Sequence, residues 1–227
     1  MTSFLASTVI LIPAFNASRS LPELIMRLRN VLPDVSILIV DDGSSDGTSA
    51  VAVQMHATVA RHSVNQGKGA ALQTGFNYIL ENLSSDSILT LDADLQHAPE
   101  DAPMFFETFR KTHADVIVGW RQRIGTIMPV HRRMSNAFTS FLVGTRTGAV
   151  IRDSQCGYRL IRRTVVEQVK LETTGFEAET EFLIKAAQKK FSIEFVPIQT
   201  IYGGEKSYMT HWNTTKHFAK ILFRDWA

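Results

Sequence analysis

Short apolar runs that each stop at a polar turn, alternating with stretches of helical spacing, constrain this chain more than any other feature. Thr8 to Ile12, Val35 to Val40, Ile88 to Leu91 and Asp115 to Gly119 read as strands, with a weaker one from His56 to His62. The run from Val35 to Val40 is continuous, which is how strands covered on both faces look. Between the runs, Leu21, Leu24, Ile25 and Leu28 mark one stripe of a helix from Leu21 to Leu32. Further helices are expected from about Asn65 to Asn82 and from Pro99 through Arg110. Strand and helix in turn, at short spacing and without a repeat, predict right-handed βαβ units and an α/β fold with a mostly parallel sheet. Ligands of such a sheet sit beyond the carboxyl ends of its strands. The loops after Ile12, Val40, Leu91 and Gly119 lie there and are the richest in Asp, Asn, Gln and Arg.

The second half is less regular. Met128 to Val143 reads as a helix with Arg132 and Arg133 near its start. Asp153 to Arg159 is a compact polar turn running into a strand. Phe176 to Lys190 is expected to be a helix with Glu177, Glu179 and Glu181 in its first turns, followed by a strand from Ile193 to Pro197. A polar loop over 199–210 and a terminal helix from His211 to Phe223 complete the reading.

Composition narrows the class. The chain has 227 residues, 44% hydrophobic and 20% charged, which is ordinary for a folded globular protein. A net charge of +2 does not point to a nucleic-acid partner. Basic residues nonetheless gather in one stretch, at Arg121, Arg123, His131, Arg132, Arg133, Arg146 and Arg152. The single cysteine, Cys156, forms no internal disulfide and fits a reducing compartment, where it is expected to be a buried structural thiol. No signal peptide is evident, and no apolar stretch reaches the ~20 residues that span a bilayer. A cytoplasmic protein is expected, with at most a peripheral place at the inner membrane face.

The run from Leu89 to Leu91 ends in Asp92-Ala93-Asp94-Leu95-Gln96-His97. On an extended segment, residues two apart point the same way, so Asp92 and Asp94 can face one point, with Gln96 following if the extension persists. Carboxylate and amide oxygens suit Mg2+ or Mn2+, which commonly share their shell with substrate phosphates. The competing reading is a solvated turn or helix cap. Likewise, Asp46 or Ser45 can cap the helix after the turn from Asp41 to Thr48.

Several motifs stand in order: Ile12-Pro13-Ala14-Phe15-Asn16, Val40-Asp41-Asp42-Gly43-Ser44-Ser45-Asp46-Gly47-Thr48, Asn65-Gln66-Gly67-Lys68-Gly69, the acidic run, Gly119-Trp120-Arg121 and Gly157-Tyr158-Arg159. Together they resemble family-2 glycosyltransferases of the GT-A fold, most of all dolichol-phosphate mannosyltransferases and their bacterial polyprenyl-phosphate relatives. The resemblance covers roughly residues 8 to 208. It implies a single GT-A domain over 1–227, with a nucleotide-sugar half at 1–120 and an acceptor half at 121–227. It also implies inverting, metal-dependent transfer of a hexose from a nucleoside-diphosphate sugar. By resemblance, Pro13, Asn16, Asp41 and Asp42 hold the nucleoside, with Asp42 near base or ribose. Asp92, Asp94 and Gln96 meet the metal and diphosphate. Arg121 with Arg132 or Arg133 faces an acceptor phosphate, and Gln155 lines the sugar end. The chain departs from the family in carrying Ala17 where Glu is common, Trp120 where a small residue is usual, and Tyr208 after Ser207 where a Ser-Lys pair is usual.

The acceptor decides which further chemistry is needed. A lipid phosphate is already ionised and needs positioning and charge neutralisation, which an arginine fork provides. A sugar hydroxyl must lose a proton, and Asp153 is then the first candidate base; a turn residue bonding its own backbone is the other reading. Lys68, at a helix start, can add positive charge near the diphosphate or be a solvated helix residue. Of the acidic residues near 179, Glu179 is the one expected to contact substrate, although acids there also complement the helix dipole. His97 adjoins the acidic run and either meets the diphosphate or starts a helix. The leading expectation is transfer to a polyprenyl phosphate. The alternatives are transfer to a saccharide hydroxyl, or a non-catalytic nucleotide-sugar-binding subunit. A nucleotidyltransferase fits less well, because Pro13 to Ser18 supplies no glycine-rich basic loop.

Overall fold

The structure, a computed structural model, describes residues 7–121, 130–199, 201 and 224, with the side chains of 130–135 not described. In chain order the elements are β1 (Thr8–Ala14), α1 (Leu21–Val31), β2 (Ser36–Asp41), α2 (Thr48–Gln54), β3 (Thr58–Arg61), α3 (Lys68–Asn82) and β4 (Ser87–Thr90). A single 3-10 turn (Pro99–Asp101) leads into α4 (Ala102–Thr112) and β5 (Val116–Arg121). Then come α5 (Val130–Thr147), β6 (Arg159–Arg162), α6 (Arg163–Gln168), α7 (Ala178–Gln188) and β7 (Ile193–Ile198).

The strands form a seven-stranded sheet in the order β3-β2-β1-β4-β6-β5-β7. All pairs are parallel except those of β6, which runs antiparallel to β4 and β5. The α/β fold with a mostly parallel sheet is therefore present. Every residue of β1 is buried, as its apolar run requires. Leu21, Leu24, Ile25 and Leu28 of α1 are buried together, so the sequence stripe is the packed face.

Two features were not legible beforehand. The strand after the 153–158 turn is wedged between β4 and β5, and its direction is reversed. Helix α6 is a short added turn after it. The expected loop over 199–210 and terminal helix over 211–223 lie outside the described residues, apart from residue 201. Among the described residues, no helix is long and apolar enough to cross a membrane.

Candidate active site

The chain passes from β1 to β2 and β3 on one side, while β4 lies on the other side of β1. The connections leaving β1 and β4 diverge, so a crevice opens at their carboxyl ends, between Pro13 and Asp92. Because β6 is reversed, it begins at the edge where its neighbours end: Thr90 pairs with Arg159. The 153–158 loop is thereby brought to the same edge, and the Thr90 hydroxyl donates to the Gly157 carbonyl at 2.7 Å.

Lys68 occupies the centre. Its neighbours explain how it gets there. Gly67 has φ +98°, and a Cβ on it would come within 2.3 Å of the Thr174 carbonyl oxygen. A Cβ on Gly69 would lie equally close to the Thr173 oxygen, at 2.3 Å. The glycines thus let the start of α3 press against the 172–174 loop, with the Gly69 N–H donating to the Thr174 carbonyl at 2.7 Å. That loop is fixed in turn by the buried Glu181 carboxylate, which accepts from the N–H groups of Glu172 at 2.7 Å and Thr173 at 2.9 Å. The Lys68 ammonium is 2.5 Å from Asp92 Oδ1 and 2.5 Å from Glu179 Oε1.

Gly157 completes the cradle. A Cβ there would meet Glu179 Oε1 at 2.6 Å and the Asp92 oxygens at 3.1 Å, so only glycine lets both carboxylates approach this backbone. Burial disfavours charge on all three side chains, and the outcomes differ. For Lys68, the two carboxylates override burial and raise its pKa. For Asp92, burial is outweighed chiefly by Lys68, and its pKa is lowered. For Glu179, burial prevails over Lys68, with the Asp92 charge adding to it, and its pKa is raised.

The acidic run does not stay extended. Strand β4 ends at Thr90, Leu95 is left-handed at φ +60°, and the Gln96 N–H donates to Asp94 Oδ1 at 3.0 Å. Asp94 therefore closes its own turn, as Asp side chains do. The expected alignment of Asp92, Asp94 and Gln96 by strand alternation does not occur. His97 turns into the protein beside Tyr158 and Cys156, and burial holds its pKa down to about 4. Among the described residues, no three His, Cys, Asp or Glu side chains form a cation cage. Asp92 and Asp94 still offer hard carboxylate oxygens on the turn. That donor set fits Mg2+ or Mn2+, which typically take one or two carboxylates and complete their shell with substrate phosphates and water.

Four residues are expected on the nucleoside side. Pro13 is buried against the Lys68 cradle, and Asn16 is exposed at the rim, left-handed at φ +51°, its Oδ1 accepting from the Ser45 N–H at 3.0 Å. Asp41 and Asp42 instead point inward. Asp41 accepts from the Ser44 N–H and the Ser49 hydroxyl. Asp42 binds His62 Nδ1 at 2.7 Å and the N–H groups of Gln66 and Gly67 at 2.9 and 2.8 Å. A buried carboxylate needs such donors, so Asp42 holds the turn that introduces Lys68. Asp46, not Ser45, braces the start of α2, accepting from the Thr48 N–H at 2.9 Å.

Of the residues expected on the acceptor side, Arg121 ends β5 and Asp153 lies in the loop before β6. Arg121 Nε donates to Asp153 Oδ2 at 2.8 Å and Nη2 to Oδ1 at 3.0 Å. Two candidates with opposing roles are thus one ion pair. Burial alone would raise the pKa of Asp153, but Arg121 holds it below the usual carboxylate range. The Gln155 N–H also donates to Asp153, at 3.2 Å, and Gln155 is half-buried. Arg132 and Arg133 lie in the first turn of α5, their side chains outside the described residues, as is Ser207. Cys156 is buried, and burial pushes its thiol up to about 12, an unreactive state.

Some contributors went unread in the sequence. His62, Glu181 and Arg159 touch no open surface, yet they position the site; Arg159 donates to the carbonyls of Cys156 at 2.8 Å and Glu179 at 2.8 Å. The adjacent glycines at 67, 69 and 157 were the available signal, since each marks a close backbone approach.

The sequence pattern of glycosyl transferase family 2 matches residues 9–170. The chain belongs to that family. It is a glycosyltransferase of the GT-A fold. It is 31% identical to the polyprenol monophosphomannose synthase of Mycolicibacterium smegmatis, over 84% of this chain and 76% of the relative. It is 29% identical to the UDP-N-acetylglucosamine--dolichyl-phosphate N-acetylglucosaminyltransferase of Methanococcus voltae, over 85% of each. Among solved structures, this glycosyltransferase resembles glucosyl-3-phosphoglycerate synthase from Mycobacterium tuberculosis in complex with Mn2+, UDP-glucose and phosphoglyceric acid. The TM-score is 0.74 at 17% identity, covering 95% of this chain and 78% of that one. At that identity the likeness speaks for the fold.

Proposed function

We propose that this glycosyltransferase moves a hexose from a nucleoside-diphosphate sugar to a polyprenyl phosphate, with inversion at the anomeric carbon. The observation that carries the acceptor choice is the Arg121–Asp153 pair. A hydroxyl acceptor needs a base, and the carboxylate expected to serve is held in two-point contact with a guanidinium. A phosphate acceptor needs none. Two relatives named for polyprenol or dolichyl-phosphate chemistry support the same choice. Helix α5 adds exposed Phe138 and Phe141 one turn apart, suited to resting in a membrane surface.

In this reading an acceptor phosphate oxygen bonds to the anomeric carbon as the sugar's bond to the diphosphate breaks, and the diphosphate leaves with the electron pair. Asp92 and Asp94 hold Mg2+ or Mn2+, in keeping with the Mn2+ bound in the glucosyl-3-phosphoglycerate synthase structure. When bound, the ion stabilises charge on the departing diphosphate. Lys68, at the start of α3, adds a second positive charge on the same side. Pro13 and Asn16 border the nucleoside, while Gln155 and Glu179 face the sugar. The protein works at the cytoplasmic membrane face, bound peripherally.

The test is a panel of nucleotide sugars with Mg2+ or Mn2+, with and without a short polyprenyl phosphate, followed by released nucleoside diphosphate. Release that depends on the lipid phosphate supports the proposal. Equal release with saccharide acceptors and none with the lipid would replace it with the hydroxyl-acceptor alternative. Donor binding without turnover under every condition would favour a binding subunit.

A further inference from the structure

The Lys68 ammonium sits on one oxygen of the Asp92 carboxylate, where a bound cation would compete with it. It contacts Asp92 Oδ1 and Glu179 Oε1 at 2.5 Å each, and both carboxylates crowd the same backbone at Gly157. The cavity beneath, lined by Leu72, Phe76, Ile161 and Phe182 besides the charged groups, holds only about 10 Å³, too little for a substrate. Lys68 is the cation in direct contact with both carboxylates, and Arg121 and Arg159 add positive charge from farther off. A divalent ion on Asp92 would face the Lys68 charge a few ångströms away, and like charges at that range disfavour each other.

We propose that Lys68 is a place-holder for the divalent ion: in the donor-free enzyme it occupies Asp92 and Glu179, and the donor's diphosphate draws it off so that the metal can bind. The proposal rests on the reading of Asp92 as a metal ligand. Three features make the exchange workable. The lysine stem is flexible and its ammonium rotates freely among partners. Lys68 is the first residue of α3, so its side chain leaves from the positive end of the helix dipole, although the Gly69 and Ala70 N–H groups there are taken by the Thr174 carbonyl. And Gly67 and Gly69 fix the backbone by close contact with the 173–174 loop, so the side chain can move while its root stays. Metal and donor then bind cooperatively, each making the other's site available, and the coupling is reciprocal. Glu179 keeps the displaced charge balanced by remaining within the cradle, held through Arg159 on its own carbonyl.

Mn2+ binding, followed by the paramagnetic resonance signal of the free aqueous ion, tests this without any turnover. Wild type, Lys68→Met, Lys68→Arg and Asp92→Asn are titrated alone and with UDP or GDP, after correction for Mn2+ held by free nucleotide. The expected result is that Lys68→Met binds Mn2+ without nucleotide at least ~10-fold more tightly than wild type. Lys68→Arg, which keeps the charge, should bind as weakly as wild type. Nucleotide should tighten Mn2+ binding to wild type much more than to Lys68→Met. Should Lys68→Met prove unfolded, wild type decides: Mn2+ affinity unchanged by either nucleotide overturns the proposal. Mn2+ binding to Lys68→Met no tighter than to wild type also overturns it, while loss of binding in Asp92→Asn leaves the metal reading intact. Undiminished binding in Asp92→Asn would instead remove the metal reading and the exchange with it.

Discussion

Arg121 grips Asp153 at two points, Nε to Oδ2 at 2.8 Å and Nη2 to Oδ1 at 3.0 Å, joining the end of β5 to the loop that enters β6. From the sequence these residues belong to competing mechanisms, Arg121 to a phosphate acceptor and Asp153 to a hydroxyl acceptor. Their pairing removes that contrast. Arg121→Ala and Asp153→Asn are now expected to share one phenotype: loss of ~3–5 kcal/mol of stability, because each leaves a buried charge unpaired, with transfer falling for every acceptor. Urea unfolding of both single variants and the double variant checks this. Additive effects would contradict it, since contacting residues should show a coupling energy.

Acid sensitivity follows from the same pair. Arg121 holds the folded-state pKa of Asp153 below its unfolded value, after offsetting burial. The sign is that of a depressed carboxylate: stability is present above the unfolded pKa, near ~3.9, and is lost as pH falls through the lower folded value. Urea midpoints of wild type should therefore decline from about pH 5 towards pH 2, and Asp153→Asn should decline less over the same interval. Parallel curves would show that the pair does not carry charge-dependent stability.

Asp42 is expected to matter through Lys68 and not through a nucleoside. Asp42→Asn keeps the shape but turns an N–H2 toward at least one of the three donors that now converge on the carboxylate. A stability loss of ~1–3 kcal/mol is expected, along with a raised KM for any nucleotide sugar. If stability is unchanged while donor binding collapses, Asp42 contacts the donor directly and this placement is wrong.

The apolar face of α5 makes a separate claim. Replacing Phe138 and Phe141 together with Ser should reduce co-sedimentation with anionic lipid vesicles by ~10-fold or more. Donor hydrolysis in the absence of lipid should not change. Vesicle binding equal to wild type would assign these side chains to another surface.

The sequence carried the sheet well because burial on both faces leaves a direct trace: Ile37 to Val40 and Val9 to Ile12 are apolar without interruption, and both lie within strands. It carried β6 poorly. Four residues beginning and ending with Arg give no period to read, and antiparallel insertion is decided by partners far along the chain. The acidic run was legible as chemistry but not as geometry, because the turn at Leu95 depends on local hydrogen bonding by Asp94. The meeting of Lys68 with Glu179 spans 111 residues and had no local signature. Periodicity tells which side chains are buried and says nothing of which distant group they meet. Asp42 is an example: a carboxylate in a polar turn reads as available, while His62 and two backbone N–H groups already engage it.

Asp92 is the proposed anchor of a divalent ion at the crevice. The most direct measurement is the rate of nucleoside diphosphate release by Asp92→Asn against wild type, across a Mn2+ titration, with folding verified by circular dichroism. A folded variant slowed by ~100-fold or more, and not restored by saturating Mn2+, is the result the account predicts. A folded variant that releases nucleoside diphosphate at the wild-type rate and with the wild-type Mn2+ dependence would contradict it.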